Sequence, residues 1–189
     1  MTPRRPFIKT YGPAEAVPVG ITMPRQVHGV RIVEIVTGTE DLTECDGLWT
    51  CRPDVLLGVQ TADCAAVALW DRMRVGIMHI GWRGLVADGL DRMRDVFDRA
   101  CVWIGPLLPA FKIQRDFCHE AVVRRFGHEF IEECDGALVF QFRSALRAVA
   151  PEAVFDPRST ADTPHLASWR RDQSAARNIT VIGMEEPCS

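Results

Sequence analysis

The chain has 189 residues, 47% hydrophobic and 25% charged, with a formal net charge of −3 at pH 7. That length suits one domain over 1–189 with a real core. The charge argues against a nucleic-acid partner, which calls for a basic face. No window has the apolar length of a membrane span, and the start Met1-Thr2-Pro3-Arg4-Arg5-Pro6 has no apolar h-region behind it, so a cytoplasmic protein is expected. Seven cysteines (Cys45, Cys51, Cys64, Cys101, Cys118, Cys134 and Cys188) are widely spaced with no C-x-x-C pair, and read as free thiols of a reducing compartment. Cys101 and Cys118 sit in apolar surroundings and are expected to be small core residues.

Residues 1–24, rich in Pro and Gly, are expected to be an irregular lead-in. Residues 30–36 alternate, with Val30, Ile32 and Val36 against Arg31 and Glu34, and predict a strand. A polar loop with Gly38 and Asp41 follows. The apolar runs 55–59 and 65–70 are separated by Thr61-Ala62-Asp63-Cys64. The polar break 71–74 then makes 65–70 and 75–80 a hairpin. After Gly84 the period changes: Leu85, Leu90, Met93, Val96, Phe97 and Ala100 follow helical spacing, with charges between them. A strand at 102–104 ends at Gly105-Pro106. A helix over 116–126 is stopped by Gly127. A strand at 139–141, a helix over 142–149 ended by Pro151 and a strand at 179–184 complete the pattern. The mixture implies an α/β or α+β layered sandwich.

Three residues stand where strand-like stretches meet polar or Gly-rich turns: His28 in Gln-Val-His-Gly, Cys64 closing Thr-Ala-Asp-Cys, and His79 opening His-Ile-Gly-Trp-Arg-Gly. Two imidazoles and a thiolate suit a zinc ion with one open position. The gaps between them match no short zinc-finger pattern, and a lone Cys or His is more often a core residue or a satisfied polar group. Asp63 is placed to orient a ligand His, unless it serves only as a turn residue. Gly81, Arg83 and Gly84 precede the long helix, where backbone N–H groups and Arg83 suit an anion. The alternative for them is an ordinary Gly-rich turn with a surface Arg. The same residues equally serve covalent chemistry, with Cys64 as nucleophile, His79 as base and His28 or Asp63 as its orienting partner. A multicopper oxidase needs many more His than the five present, so copper fits less well than zinc. A third reading, a non-catalytic metal-binding or assembly subunit in which neighbouring subunits complete a pocket, also stays open.

Gln-Val-His-Gly, Asp46-Gly47-Leu48 with Thr50, Thr-Ala-Asp-Cys, His-Ile-Gly-Trp-Arg-Gly and Ile104-Gly105-Pro106 occur here in that order, followed by Ser168-Trp169-Arg170-Arg171-Asp172. In this the chain resembles the YfiH-like laccase-domain family, once described as multicopper polyphenol oxidoreductases. The resemblance covers residues 24–184. It implies a single-domain α/β/β/α sandwich and one zinc held by His28, Cys64 and His79. The implied activity is phosphorolysis of purine nucleosides or deamination of adenosine, or action on a related small polar metabolite. Cys64, His79, Asp63 and Arg83 are then the catalytic candidates, and Gln26, Arg83 and Gly84 the substrate or anion contacts. The chain departs from the family where Lys112 stands in place of the usual Glu and where Asp156 is the nearest match to a Cys-x-Thr element, so altered substrate walls are expected around an intact metal centre.

Overall fold

A computed structural model describes residues 6–184; Arg4, Arg5 and Cys188 lie outside them. In chain order the strands are β1 (Phe7–Tyr11), β2 (Ile21–Thr22), β3 (Ile32–Glu34), β4 (Gly47–Thr50), β5 (Leu56–Thr61), β6 (Ala65–Trp70), β7 (Val75–Ile80), β8 (Cys101–Ile104), β9 (Phe111–Ile113), β10 (Ile131–Cys134), β11 (Ala137–Phe140), β12 (Val154–Phe155) and β13 (Asn178–Gly183). The helices are α1 (Trp82–Val86), α2 (Gly89–Arg94), α3 (Phe117–Phe126), α4 (Phe142–Val149) and α5 (Trp169–Asp172). A six-stranded sheet runs β12-β8-β6-β7-β4-β3, a four-stranded sheet β1-β13-β5-β2, and a three-stranded sheet β10-β11-β9.

The expected hairpin is β6–β7, in antiparallel register from Ala65↔Ile80 to Trp70↔Val75. Asp71 shapes its turn by accepting the N–H groups of Met73 and Arg74, both at 2.8 Å. The hairpin is apolar on both faces, so it occupies the middle of the six-stranded sheet rather than a solvated edge. Ala65, Val67, Leu69, Met78 and Ile80 pack with Leu85, Leu90, Met93 and Leu146 of the helices. Ala66, Ala68, Val75 and Ile77 pack with Leu57, Val59 and Ile182 of the four-stranded sheet. The result is the layered mixed α/β architecture read from the sequence.

α3 and α4 lie where their patterns place them. The Asp116 carboxylate caps α3 by accepting the Cys118 N–H at 2.9 Å, and Gly127, at φ 99°, ends it. The lead-in is a correction: β1 pairs along its whole length with β13, and β2 pairs with β5. Phe7-Ile8-Lys9-Thr10-Tyr11 is too short to announce itself, and its partner lies at the far end of the chain. The long helix after Gly84 is a second correction, because it breaks into α1 and α2 at Asp88, which adopts φ 60°. A Cβ on Gly89 would lie 2.8 Å from the Gly84 carbonyl oxygen and 3.1 Å from Met78 Cε. The chain therefore turns where glycine permits close approach, and α2 settles onto β7 through Met93. Cys118 is buried as expected, whereas Cys101 is only half-buried.

Candidate metal and substrate site

His28, Cys64 and His79 meet at the strand ends: His28 in the loop before β3, Cys64 immediately before β6, and His79 at the penultimate position of β7. Their candidate ligand atoms all lie within 4.8 Å of one another. The two imidazoles stand edge to face, with centroids 4.7 Å apart. Local backbone geometry makes this possible. His28 adopts φ 62° and Asp63, just before Cys64, φ 88°, both left-handed conformations that the surrounding bonds must hold. Gly81 leaves the floor open, since a Cβ there would lie 3.0 Å from His28 Cδ2 and 3.2 Å from Cys64 Sγ.

The group that assembles these elements is Asp46. Fully buried, its carboxylate accepts the N–H groups of Val27 at 3.1 Å, His28 at 3.0 Å and Gly29 at 2.8 Å. It also bonds His79 Nδ1 at 2.8 Å, while its backbone carbonyl accepts the His79 N–H at 2.8 Å. One side chain thus fixes the His28 turn and the tautomer of His79, leaving His79 Nε2 for the cluster. Burial opposes the charged form of Asp46, but the hydrogen bonds from His79, Val27 and Gly29 hold its carboxyl below the usual range. Burial also disfavours charge on His79, yet Asp46 and Cys64 raise it to about 9. Burial likewise works against the Cys64 thiolate, and the two histidines still bring the thiol down to about 7.

Among the described residues this is the one cluster of three metal-capable side chains. A thiolate and two imidazoles are donors for zinc or copper(I) rather than for magnesium or calcium. The lowered thiol, the tautomer-fixing carboxylate and the space beside Gly81 all fit such an ion.

The other expected site residues divide. Asp63 orients neither histidine: its carboxylate accepts Thr160 Oγ1 at 2.7 Å and the Arg170 N–H at 2.8 Å, tying the Cys64 turn to α5. The orienting carboxylate is Asp46, which sequence spacing did not single out although Asp46-Gly47 belongs to the motif string. Gly84 is buried and packs under Gly29, where a Cβ would lie 3.2 Å from the Gly29 carbonyl oxygen. α1 has only five residues, so the end of a long helix expected beside Gly81 is not formed, and Arg83 is the second residue of this short turn. Its guanidinium stacks on Trp82 at 5.2 Å and on Phe117 at 5.7 Å. Gln26 clamps β5 from above, its Nε2 donating to the Gln60 carbonyl and its Oε1 accepting the Gln60 N–H, both at 2.8 Å.

The cluster forms part of the wall of a cleft of about 650 Å³. Around it stand aromatic rings from Trp82, Phe111, Phe142 and Trp169, and guanidinium groups from Arg25, Arg83, Arg170 and Arg177. Trp82-Arg83 and Trp169-Arg170 belong to motifs legible in the sequence, whereas Phe111 and Phe142 come from segments that carried no chemical signal.

A model of the family described as multi-copper polyphenol oxidoreductase laccase matches residues 12–185. A purine nucleoside phosphorylase of Xylella fastidiosa is 32% identical over 185 residues, covering 83% of this chain and 69% of its own. One of Pseudomonas aeruginosa is 37% identical over 89 residues, a match to 44% of this chain that spans only 36% of that protein. In three dimensions the chain is similar to a protein of Neisseria meningitidis, with TM-score 0.78 and 21% identity over 88% of this chain and 75% of that one, a likeness of fold.

Proposed function

The chain belongs to the multi-copper polyphenol oxidoreductase laccase family, and from that premise we propose that it is a zinc-dependent enzyme acting on purine nucleosides, by phosphorolysis, adenosine deamination or both. The observation that carries this reading is the His28–Cys64–His79 cluster set in a cleft that combines flat aromatic walls with arginines. Aromatic rings suit a purine base, and arginine suits phosphate. Relatives named purine nucleoside phosphorylase support the same substrate class.

His28, Cys64 and His79 would hold the ion. The chemistry it would supply is Lewis-acid polarisation of a substrate group. Asp46 keeps the His79 tautomer and the His28 turn in place throughout. Arg83, beside the cluster, holds phosphate, and the aromatic walls orient the base and exclude water from its faces. Phosphorolysis breaks the N-glycosidic bond and forms a C1′–O bond to phosphate; the departing base takes up a proton. Multicopper oxidation, the chemistry in the family's description, calls for more metal centres than the one cluster among the described residues supplies.

The test is to load the protein with zinc, add phosphate with adenosine or inosine, and follow free base, ribose 1-phosphate and ammonia. Product formation that disappears with chelator and returns with zinc supports the proposal. Absence of both base release and deamination refutes the purine reading. A second reading rests on Cys64 standing within 4.8 Å of His79, whose Nδ1 is bonded to Asp46 at 2.8 Å, the arrangement of a Cys/His hydrolase or amidase. Activity that survives chelation and is lost to a thiol reagent would favour it over the metalloenzyme.

A further inference from the structure

We infer that the substrate of this cleft carries an anionic group of its own, so that the preferred ligand class is a nucleoside monophosphate, with Arg170 and Arg177 receiving its phosphate. The inference rests on the nucleoside reading above and sharpens its substrate.

Outside the cleft six arginines are closely ion-paired: Arg52, Arg74, Arg94, Arg125, Arg158 and Arg171 each lie 2.5–2.8 Å from a carboxylate. Arg72, Arg92, Arg99, Arg124, Arg143 and Arg147 have no carboxylate partner among the described residues and are dispersed rather than gathered in one cleft. The four arginines of the cleft have no such partner among the described residues. Asp63 is a lining carboxylate, but its two oxygens are taken by Thr160 and the Arg170 backbone. Inorganic phosphate brings about two negative charges at neutral pH. With the Asp63 carboxylate counted, a neutral nucleoside and one phosphate still leave positive charge of the four guanidinium groups unmatched, by about one unit.

These arginines also fall into separate groups. Arg83 belongs to α1, two residues after Gly81 and next to the metal cluster. Arg170 and Arg177 belong to the stretch between Ser168 and β13. Arg170 lies over Phe111 at 4.5 Å and Arg177 over Trp169 at 5.9 Å, so both are held by rings that line the same cleft. Each uses only Nη1, Arg170 on the Lys112 carbonyl at 3.3 Å and Arg177 on the carbonyls of Ala176 at 2.7 Å and Ser174 at 3.2 Å. Their Nε and Nη2 groups have no acceptor among the described residues. Stacked guanidiniums with an unused donor edge are preorganised for bidentate contact with phosphate. The Asp63 bond to the Arg170 N–H anchors that anion subsite to the Cys64 turn, which keeps the two halves of the cleft in register.

Calorimetric titration of the zinc-loaded full chain with adenosine, with adenosine 5′-monophosphate and with inorganic phosphate tests this. The monophosphate is expected to bind at least about tenfold more tightly than either adenosine or phosphate. That preference should shrink as NaCl is raised from about 0.05 to 0.5 M, because Debye screening weakens the phosphate contacts. In the R170Q/R177Q double variant, checked by circular dichroism, the ratio of monophosphate to adenosine affinity should fall toward one. Equal affinities, a ratio unchanged in the folded double variant, or phosphate alone binding as tightly as the monophosphate would each overturn the inference. If the double variant does not fold, the salt series decides, and a preference insensitive to salt overturns it. Adenosine binding without any monophosphate preference leaves the nucleoside reading standing and removes only the inference. Binding of neither compound removes the reading itself.

Discussion

Replacing Asp46 with Asn exchanges one carboxylate oxygen for an NH₂ group in a fully buried site where every neighbour is a donor. The Val27 and Gly29 N–H groups point at one oxygen, and the His28 N–H and His79 Nδ1 at the other. Either orientation of the amide keeps one pair of bonds and sets its own N–H groups against the other pair. Two charge-assisted bonds are lost, each contributing about 1.5–3 kcal/mol, so a loss of about 3–6 kcal/mol of folding stability is expected. The partial escape is for His79 to reverse its tautomer and accept at Nδ1, but this places a proton on the nitrogen needed for the ion. Zinc affinity should therefore fall by about 10–100-fold as well. Urea unfolding of the metal-free proteins measures the first effect, and zinc competition against a chromophoric chelator the second. A D46N protein with stability within about 1 kcal/mol of the parent and unchanged zinc affinity would refute the idea that this carboxylate organises the site.

Gly81→Ala should leave secondary structure intact but weaken zinc binding by tenfold or more on the order expected for a displaced ligand shell, because its methyl group enters the space 3.0–3.2 Å from His28 and Cys64; unchanged affinity would show that the cluster sits elsewhere. In a helix, Gly→Ala ordinarily stabilises by about 1 kcal/mol. At Gly89 the added Cβ would meet the Gly84 backbone at 2.8 Å, and overpacking of about 1–3 kcal/mol wins, so thermal unfolding of G89A should occur below that of the parent. Asp71 has a lowered pKa: burial opposes its charge, but bonds from the N–H groups of Met73, Arg74 and Asp98 and from the Arg74 guanidinium outweigh it. Its contribution is therefore complete above the usual carboxylate pKa of about 4 and lost as pH falls through the lower folded value. Asp71→Asn should destabilise the protein at pH 7 and lose less stability than the parent on acidification toward about pH 3; parallel stability–pH curves would contradict this.

Much of this molecule is local information. The β6–β7 hairpin follows from two apolar runs around a polar turn, α3 from Asp116 and Gly127 at its ends, and α4 from periodicity stopped at Pro151. These signals act within a few residues, where side-chain period and capping chemistry are enough. The three ligand candidates were legible for a related reason: His28, Cys64 and His79 each sit beside residues that bend the chain, and their motifs place the chain in its family. Position along the chain could not decide which carboxylate serves them. Asp63 adjoins Cys64 but faces Thr160 and Arg170, whereas Asp46 reaches His28 and His79 because β4 lies between β3 and β7. The pairing of β1 with β13 and the break at Asp88 are of the same kind. One needs a partner at the other end of the chain, and the other depends on how closely Gly89 approaches Gly84. The sequence alone determined which residues could bind a metal and where most strands and helices run, since propensity and chemistry belong to short segments. Which side chains face one another, and the arginines gathered around the cluster, were decided by tertiary packing, because only the layered fold brings residues 25, 83, 170 and 177 to one cleft.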